Sequence, residues 1–332
     1  MRHSQSEKME IIRIVEQSHL PIKHTLKELA IASSTFYDWY RRFQIDGYDG
    51  LTDRSSRPGK IWNRIPDSEK EKVVQIALEH PEKSPRELAW YITDKESYFI
   101  SESSVCRILK AYDLITSPVY VMLSAADKFK HPTKRVNELW QTDFTYFKIV
   151  GWGWYYLSTV LDDYSRYIIA WKLFSTMSSK DVKDVLDLAI TKTGVDRIKV
   201  RNRPRLLSDN GPCNISKELK EFMRDRELSH IRGQPYHPMT QGKIERFHRS
   251  MKNIINLNHY YLPWDLEKEI EVFVNFYNNE RYHESINNLR PVDVYNGKAF
   301  EILDRREEIK RQTMHHRRRQ NLGKESVNSV CI

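Results

Sequence analysis

Leu206-Leu207-Ser208-Asp209-Asn210-Gly211 reads as a short apolar strand that delivers a carboxylate and turns away at Asn-Gly. A second carboxylate stands upstream in Trp140-Gln141-Thr142-Asp143-Phe144, again within apolar strand sequence. A third, Glu245, lies in Gly242-Lys243-Ile244-Glu245-Arg246-Phe247, with 35 residues between it and Asp209. Lys252 follows Glu245 by seven positions, two helical turns along the same face. An unpaired charge amid Leu139, Trp140, Phe144, Leu206 and Leu207 is costly, so Asp143 and Asp209 call for a partner of opposite charge. Phosphodiester transfer supplies one: two divalent ions about 3.5–4 Å apart activate the attacking oxygen and offset charge on the leaving one. Hard cations such as Mg²⁺ take carboxylate oxygens, which rigid elements must bring to one point.

The surrounding pattern is that of strands. Residues 136–144 lead into 146–150, a Gly151-Trp152-Gly153 turn precedes 154–161, and 167–173 form a third run. Ser178 or Ser179 caps an amphipathic helix, 205–208 form the strand before Asp209, and a helix over 215–225 precedes a short run at 228–231. Three hairpin strands followed by alternating helix and strand predict an α/β layered domain. Of the other acids, Asp162 and Asp163 read as turn caps or partners of Arg166, and Asp181 and Asp184 as solvated helix positions.

The three acids at this spacing resemble the D,D-35-E triad of the transposases and integrases of the retroviral-integrase superfamily, and among them bacterial insertion-sequence transposases with helix-turn-helix units ahead of the core. The resemblance covers 136–297 and implies a ribonuclease-H-like integrase catalytic core over 136–298, a mixed five-stranded sheet with flanking helices. It implies that Asp143 bridges two Mg²⁺ (or Mn²⁺) ions, that Asp209 binds one and that Glu245 binds the other. Residues 275–283 and 289–295 resemble the segment that closes such cores; Val272, Phe276 and Tyr277 read as a buried helix face, with Arg281 and His283 as further candidates to touch DNA. Retroviral members carry a His/Cys zinc module at the amino terminus. Here Cys106, Cys213 and Cys331 form no C-x-x-C pair, which argues against zinc and for a bacterial source with a reduced, cytoplasmic, nucleoid-associated setting.

The chain has 332 residues, room for two or three domains, and its 54 Lys+Arg against 45 Asp+Glu give a net charge of +9. Such a surface suits phosphate neutralisation. No apolar run approaches the ~20 residues that span a bilayer, and residues 1–5 lack the apolar stretch of a signal peptide.

Ahead of the core, two small all-α helix-turn-helix domains are expected at 1–45 and 63–116. In the first, Met9, Ile12 and Val15 mark one helix, Leu26, Leu29 and Ala30 a second, and Ser33 and Ser34 offer caps for a third. Phe36, Trp39, Tyr40 and Phe43 give that third helix an inward face, opposite Thr35, Tyr37, Arg41 and Arg42. The second unit echoes it: Ser84-Pro85-Arg86-Glu87 opens a helix, and Val105, Ile108, Leu109 and Tyr112 repeat the spacing 69 residues on, with Arg107 and Lys110 outward. Residues 46–62, which include Arg54 and Arg57, read as a basic strand in a DNA groove or a plain linker, and 117–135 as a second linker. The tail, 299–332, reads as a non-specific DNA contact or a solvated helix end, through Lys310, Arg311, Arg317, Arg318, Arg319 and Lys324.

Lys243, Arg246, Arg249 and Lys252 share a helix with Glu245 and are candidates for phosphate contacts, as is His237 in the loop before it. His237 and His248 read first as hydrogen-bond partners and only second as ligands or proton carriers. The expected function is that of a DNA transposase. It would bind the terminal inverted repeats of its element, cleave at the 3′ ends and join them to a target duplex, as a homo-oligomer on DNA with no small-molecule substrate. The alternatives are a non-catalytic helix-turn-helix DNA-binding protein and a ribonuclease-H-like nuclease that cuts without joining.

Overall fold

A computed structural model describes residues 3–53, 61–115, 133–232 and 242–322, divided into two compact units, Met1–Trp62 and Asn63–Ile332. In the first, α1 (Gln5–Gln17), α2 (Ile22–Glu28) and α3 (Ser33–Asp46) surround Ile12, Val15, Leu26, Phe36 and Trp39. Ser4 opens α1 with a reciprocal capping box to Glu7. The residue capping α3 is Ala32, without a side-chain bond, so the expected Ser33 and Ser34 caps are instead the first two helical residues. The expected linker begins later than 46, because a 3₁₀ turn over Gly47–Leu51 places Leu51 in the core. Gly50 permits this closure: a Cβ there would collide with the carbonyl of Arg42.

In the second unit, α4 (Asp67–Glu79), α5 (Pro85–Lys95) and α6 (Glu102–Ala111) pack around Val73, Leu88, Ile92, Ile100, Val105 and Leu109. Ser84 and Glu87 form the capping box of α5 with Pro85 in its first turn, and Ser101 caps α6.

The sheet comprises β1 (Leu139–Ile149), β2 (Gly153–Asp162), β3 (Ile168–Phe174), β4 (Arg205–Ser208) and β5 (Ser229–Arg232), in the order β3-β2-β1-β4-β5. The first three are antiparallel, whereas β4 pairs parallel with both β1 and β5. This is the mixed five-stranded sheet with flanking helices that the sequence implied. One face packs Trp140, Val160, Ala170 and Leu206 against α7 (Ser179–Thr193) and α9 (Lys217–Asp225), with α8 (Pro212–Ile215) between β4 and α9. The other packs Phe147, Leu157, Leu161 and Ile168 against α10 (Gly242–Ile255) and α11 (Pro263–Asn279). The inward face of α11 is Leu266, Ile270, Phe273, Val274 and Tyr277, so Val272, expected there, points outward with 57% exposure. Asp181 is likewise not solvated: it is buried, closing the capping box of α7 with Ser178 and accepting from Thr176 Oγ1.

After α12 (Pro291–Tyr295), the tail forms α13 (Ala299–Leu322), which lies along the second helical unit. Arg306 makes a two-pronged pair with Asp94 at 2.8 and 2.7 Å. Arg317 donates to Tyr98 Oη and to the Phe99 carbonyl, both at 2.7 Å. Arg317, read from sequence as a DNA contact, is buried here, while Lys310, Arg311, Arg318 and Arg319 remain on the surface. No helix among the described residues is long and apolar enough to cross a membrane.

His283 stacks edge-on against Tyr277 with a ring-centroid distance of 4.6 Å, its Nε2 sealed from solvent without a hydrogen-bond partner among the described residues. Burial, helped by the charges of Arg281 and Arg166, pulls its pKa down from 6.5 to about 3. The ring stays neutral in the fold yet protonates in the unfolded chain below pH 6.5, so stability should fall as pH drops from 6.5 towards 3. His283→Gln should flatten that segment of a pH–stability curve measured by urea unfolding. Arg306→Ala should destabilise the second unit by about 3 kcal/mol, because the mostly buried Asp94 loses its charged partner, and the same unfolding assay reads it.

Candidate active site

Asp143 lies midway along β1, opposite Thr159 of β2. β4 pairs with β1 through Leu139–Arg205, Trp140–Leu206 and Gln141–Leu207. The pairing stops there, with Asp143 two residues beyond Gln141 on β1 and Asp209 two beyond Leu207, just past the end of β4. Side chains alternate along a strand, so Gln141, Asp143 and Leu207 share a face, the one that α10 covers, whereas Asp209 lies past the end of β4 and turns its carboxylate to Gly211 and Asn214.

α10 crosses that face in the direction of β1. The Ile244 amide donates to Gln141 Oε1 at 3.2 Å, and His248 Nδ1 lies 3.5 Å from Asp143 Oδ2. Further along, the Lys252 ammonium sits 4.1 Å from the centre of the Tyr146 ring. Burial pulls the Lys252 pKa down, and the charge of Asp143 opposes that shift. Glu245 stands on the solvent side one turn before His248.

The two strand carboxylates are held differently. Asp143 Oδ1 accepts from the Phe144 amide at 2.8 Å. Asp209 Oδ1 accepts from the Gly211 amide at 3.0 Å and from Asn214 Nδ2 at 2.6 Å. Gly211 leaves this carboxylate uncrowded, since a Cβ there would lie 3.1 and 3.2 Å from its two oxygens. A carboxylate on β1 and one just past the end of β4, with that space around it, suit hard divalent cations in donor type. Among the described residues, however, no three His, Cys, Asp or Glu side chains are brought together as a set that would hold a metal ion.

The remaining candidates divide. Arg246, Arg249 and Arg107 are exposed, and Arg41 is 72% exposed beside Asp38. Arg42 is only 14% exposed and donates to the Thr52 carbonyl, so it braces the first unit instead of presenting a charge to DNA. Lys243, expected to contact phosphate, is also a correction: it is buried and paired with Asp163. Asp162 caps its turn as expected, through Ser165, while Asp163 pairs with Lys243 and accepts from Arg166 through its backbone carbonyl. His237, Arg54 and Arg57 lie outside the described residues. Sequence reasoning did not foresee that His248 abuts Asp143, although its place one turn after Glu245 was a usable signal.

Comparison with known proteins adds the following. Residues 133–238 and 226–291 match two models of an integrase core domain; 35–109 match a homeodomain-like domain and 7–59 a helix-turn-helix domain. The chain is 31% identical over 120 residues to the Gag-Pro-Pol polyprotein of Squirrel monkey retrovirus, a match covering 36% of this chain and only 6% of that one. It is 23% identical over 306 residues to the transposase for transposon Tn552 of Staphylococcus aureus, covering 85% of this chain and 62% of that one. The HTLV-2 integrase catalytic core, solved with magnesium, aligns with 48% of this chain and 97% of its own at 21% identity and a TM-score of 0.38.

Proposed function

We propose, for a chain that carries an integrase core domain behind helix-turn-helix domains, that it is a DNA transposase. The observation that supports this most is the parallel β1–β4 pairing, which leads the chain to Asp209 just past β4 alongside the strand that carries Asp143, with α10 packed over Asp143 through His248 at 3.5 Å. The alignment with the Tn552 transposase along most of this chain favours strand joining over simple cutting.

In this reading the helical units bind the terminal inverted repeats. Arg41 on α3 and Arg107 on α6, both exposed, would supply contacts to the duplex. The core then cleaves at the 3′ ends and transfers them to target DNA, as two phosphoryl transfers without a covalent enzyme intermediate. Asp143, Asp209 and Glu245 would hold Mg²⁺ or Mn²⁺, two ions per site, whose charge offsets that of the scissile phosphate and lowers the pKa of the attacking water or hydroxyl. His248 orients the Asp143 carboxylate from the helix side, with its other nitrogen 3.4 Å from Thr159 Oγ1. Lys252, fixed over Tyr146, holds a phosphate of the DNA terminus, and Arg246 and Arg249 add outer contacts. Joining two ends at one target requires two sites, hence a homo-oligomer on DNA.

Asp143→Asn should abolish Mg²⁺-dependent cleavage and joining of a labelled inverted-repeat end while leaving DNA binding by gel shift unchanged. A variant as active as the wild type would sink the assignment. Lys252→Ala should weaken binding to the duplex end and make the slope of log K against log [salt] shallower by about one, as expected for one lost phosphate contact.

A further inference from the structure

Lys243 is the second residue of α10 and only 9% exposed. Its Nζ donates to Asp163 Oδ2 at 2.6 Å and to the Asp163 carbonyl at 3.1 Å. Asp163, 3% exposed just past the end of β2, also accepts from Thr133 Oγ1 at 2.6 Å and, through Oδ1, from Gln141 Nε2 at 2.7 Å. Gln141 is fully buried on β1 and turns its amide oxygen the other way, to the Ile244 amide. That amide belongs to the first turn of α10, where backbone donors have no partner within the helix. Two anchors from different parts of the sheet thus close on two consecutive residues, Lys243 and Ile244, and the next residue is Glu245.

Lysine is rarely buried, and a buried ion pair stabilises no better than an apolar pair of similar volume. The apolar side of α10, Ile244, Phe247, Met251 and Ile255, already attaches the helix to the sheet. Apolar contact is non-directional, so it leaves rotation about the helix axis and sliding along it weakly defined. A charge pair combined with an amide hydrogen bond is directional and defines both.

We propose that Asp163, Lys243 and Gln141 form a positioning clamp that sets the rotation and height of Glu245 above Asp143 and Asp209. Lys243 and Asp163 act through the helix and touch neither DNA nor metal. The proposal rests on the reading of Glu245 as the third site carboxylate.

The test is the double variant Lys243→Met/Asp163→Asn, which removes both charges while the substituted side chain's amide oxygen can still accept from Gln141. With no orphaned charge it should melt close to the wild type. Amide hydrogen exchange at Ile244 and Glu245 should nevertheless speed up by about tenfold. In Mg²⁺-dependent cleavage of a DNA end, kcat should fall about 100-fold, the scale of a small misplacement at a reacting centre, with KM nearly unchanged. Wild-type kcat together with unaltered exchange at Ile244 would overturn the clamp. So would a large drop in melting temperature with no local change in exchange, which would make the pair an ordinary stability element. If the wild type itself shows no metal-dependent cleavage while exchange at Ile244 rises in the variant, the functional reading fails and the anchoring of Glu245 stands.

Discussion

Three residue pairs between β1 and β4 govern the rest of the core. Leu139, Trp140 and Gln141 meet Arg205, Leu206 and Leu207 in parallel register, and the Arg205 amide donates to the Glu138 carbonyl at the start of the pairing. A slip of one residue would exchange the two faces of β4 and shift Asp209, just past its end, relative to Asp143. Burial resists that slip, because Trp140 and Leu206 fill the α7 side while Gln141 and Leu207 are buried on the α10 side. Where Asp143 and Asp209 stand along the sheet is therefore set by core packing.

Much of this was readable in the chain because it is local. The strands at β1 to β3 alternate or run apolar between turn residues, and the caps at Ser84, Ser101 and Ser178 precede their helices by the expected steps. What was misread depends on partners remote in sequence. Lys243 looks like any basic residue on a basic helix, and its acceptor Asp163 lies 80 residues upstream. Asp181 resembles a solvated helix acid until Thr176 and Ser178 are seen to enclose it. Val272 shares a helix with the buried Phe273 and Tyr277, and a phase error of one residue turns it outward.

Of the candidate site, the placement of Asp143 on β1 and of Asp209 just past β4 was legible from the apolar runs around them. The α10 side was less so. Glu245 carries no such local signal, and its neighbour His248 reaches Asp143 only because the helix lies along β1. Arg42 and Arg317 show the general difficulty: a guanidinium that donates to backbone carbonyls inside a fold has the same letter as one that meets a phosphate.

The last helix has a consequence for the proposed function, in how a DNA end would be measured. Because α13 ties the second helical unit to the core through Arg306, Thr313 and Arg317, those two parts cannot drift independently. On the proposed function, a base sequence bound by α6 would then stand at a set number of base pairs from the phosphate to be cut, with the protein serving as a ruler. Lengthening the DNA between the gripped sequence and the cut by half a helical turn would place the wrong strand over the carboxylates, whereas a full turn would restore the phase.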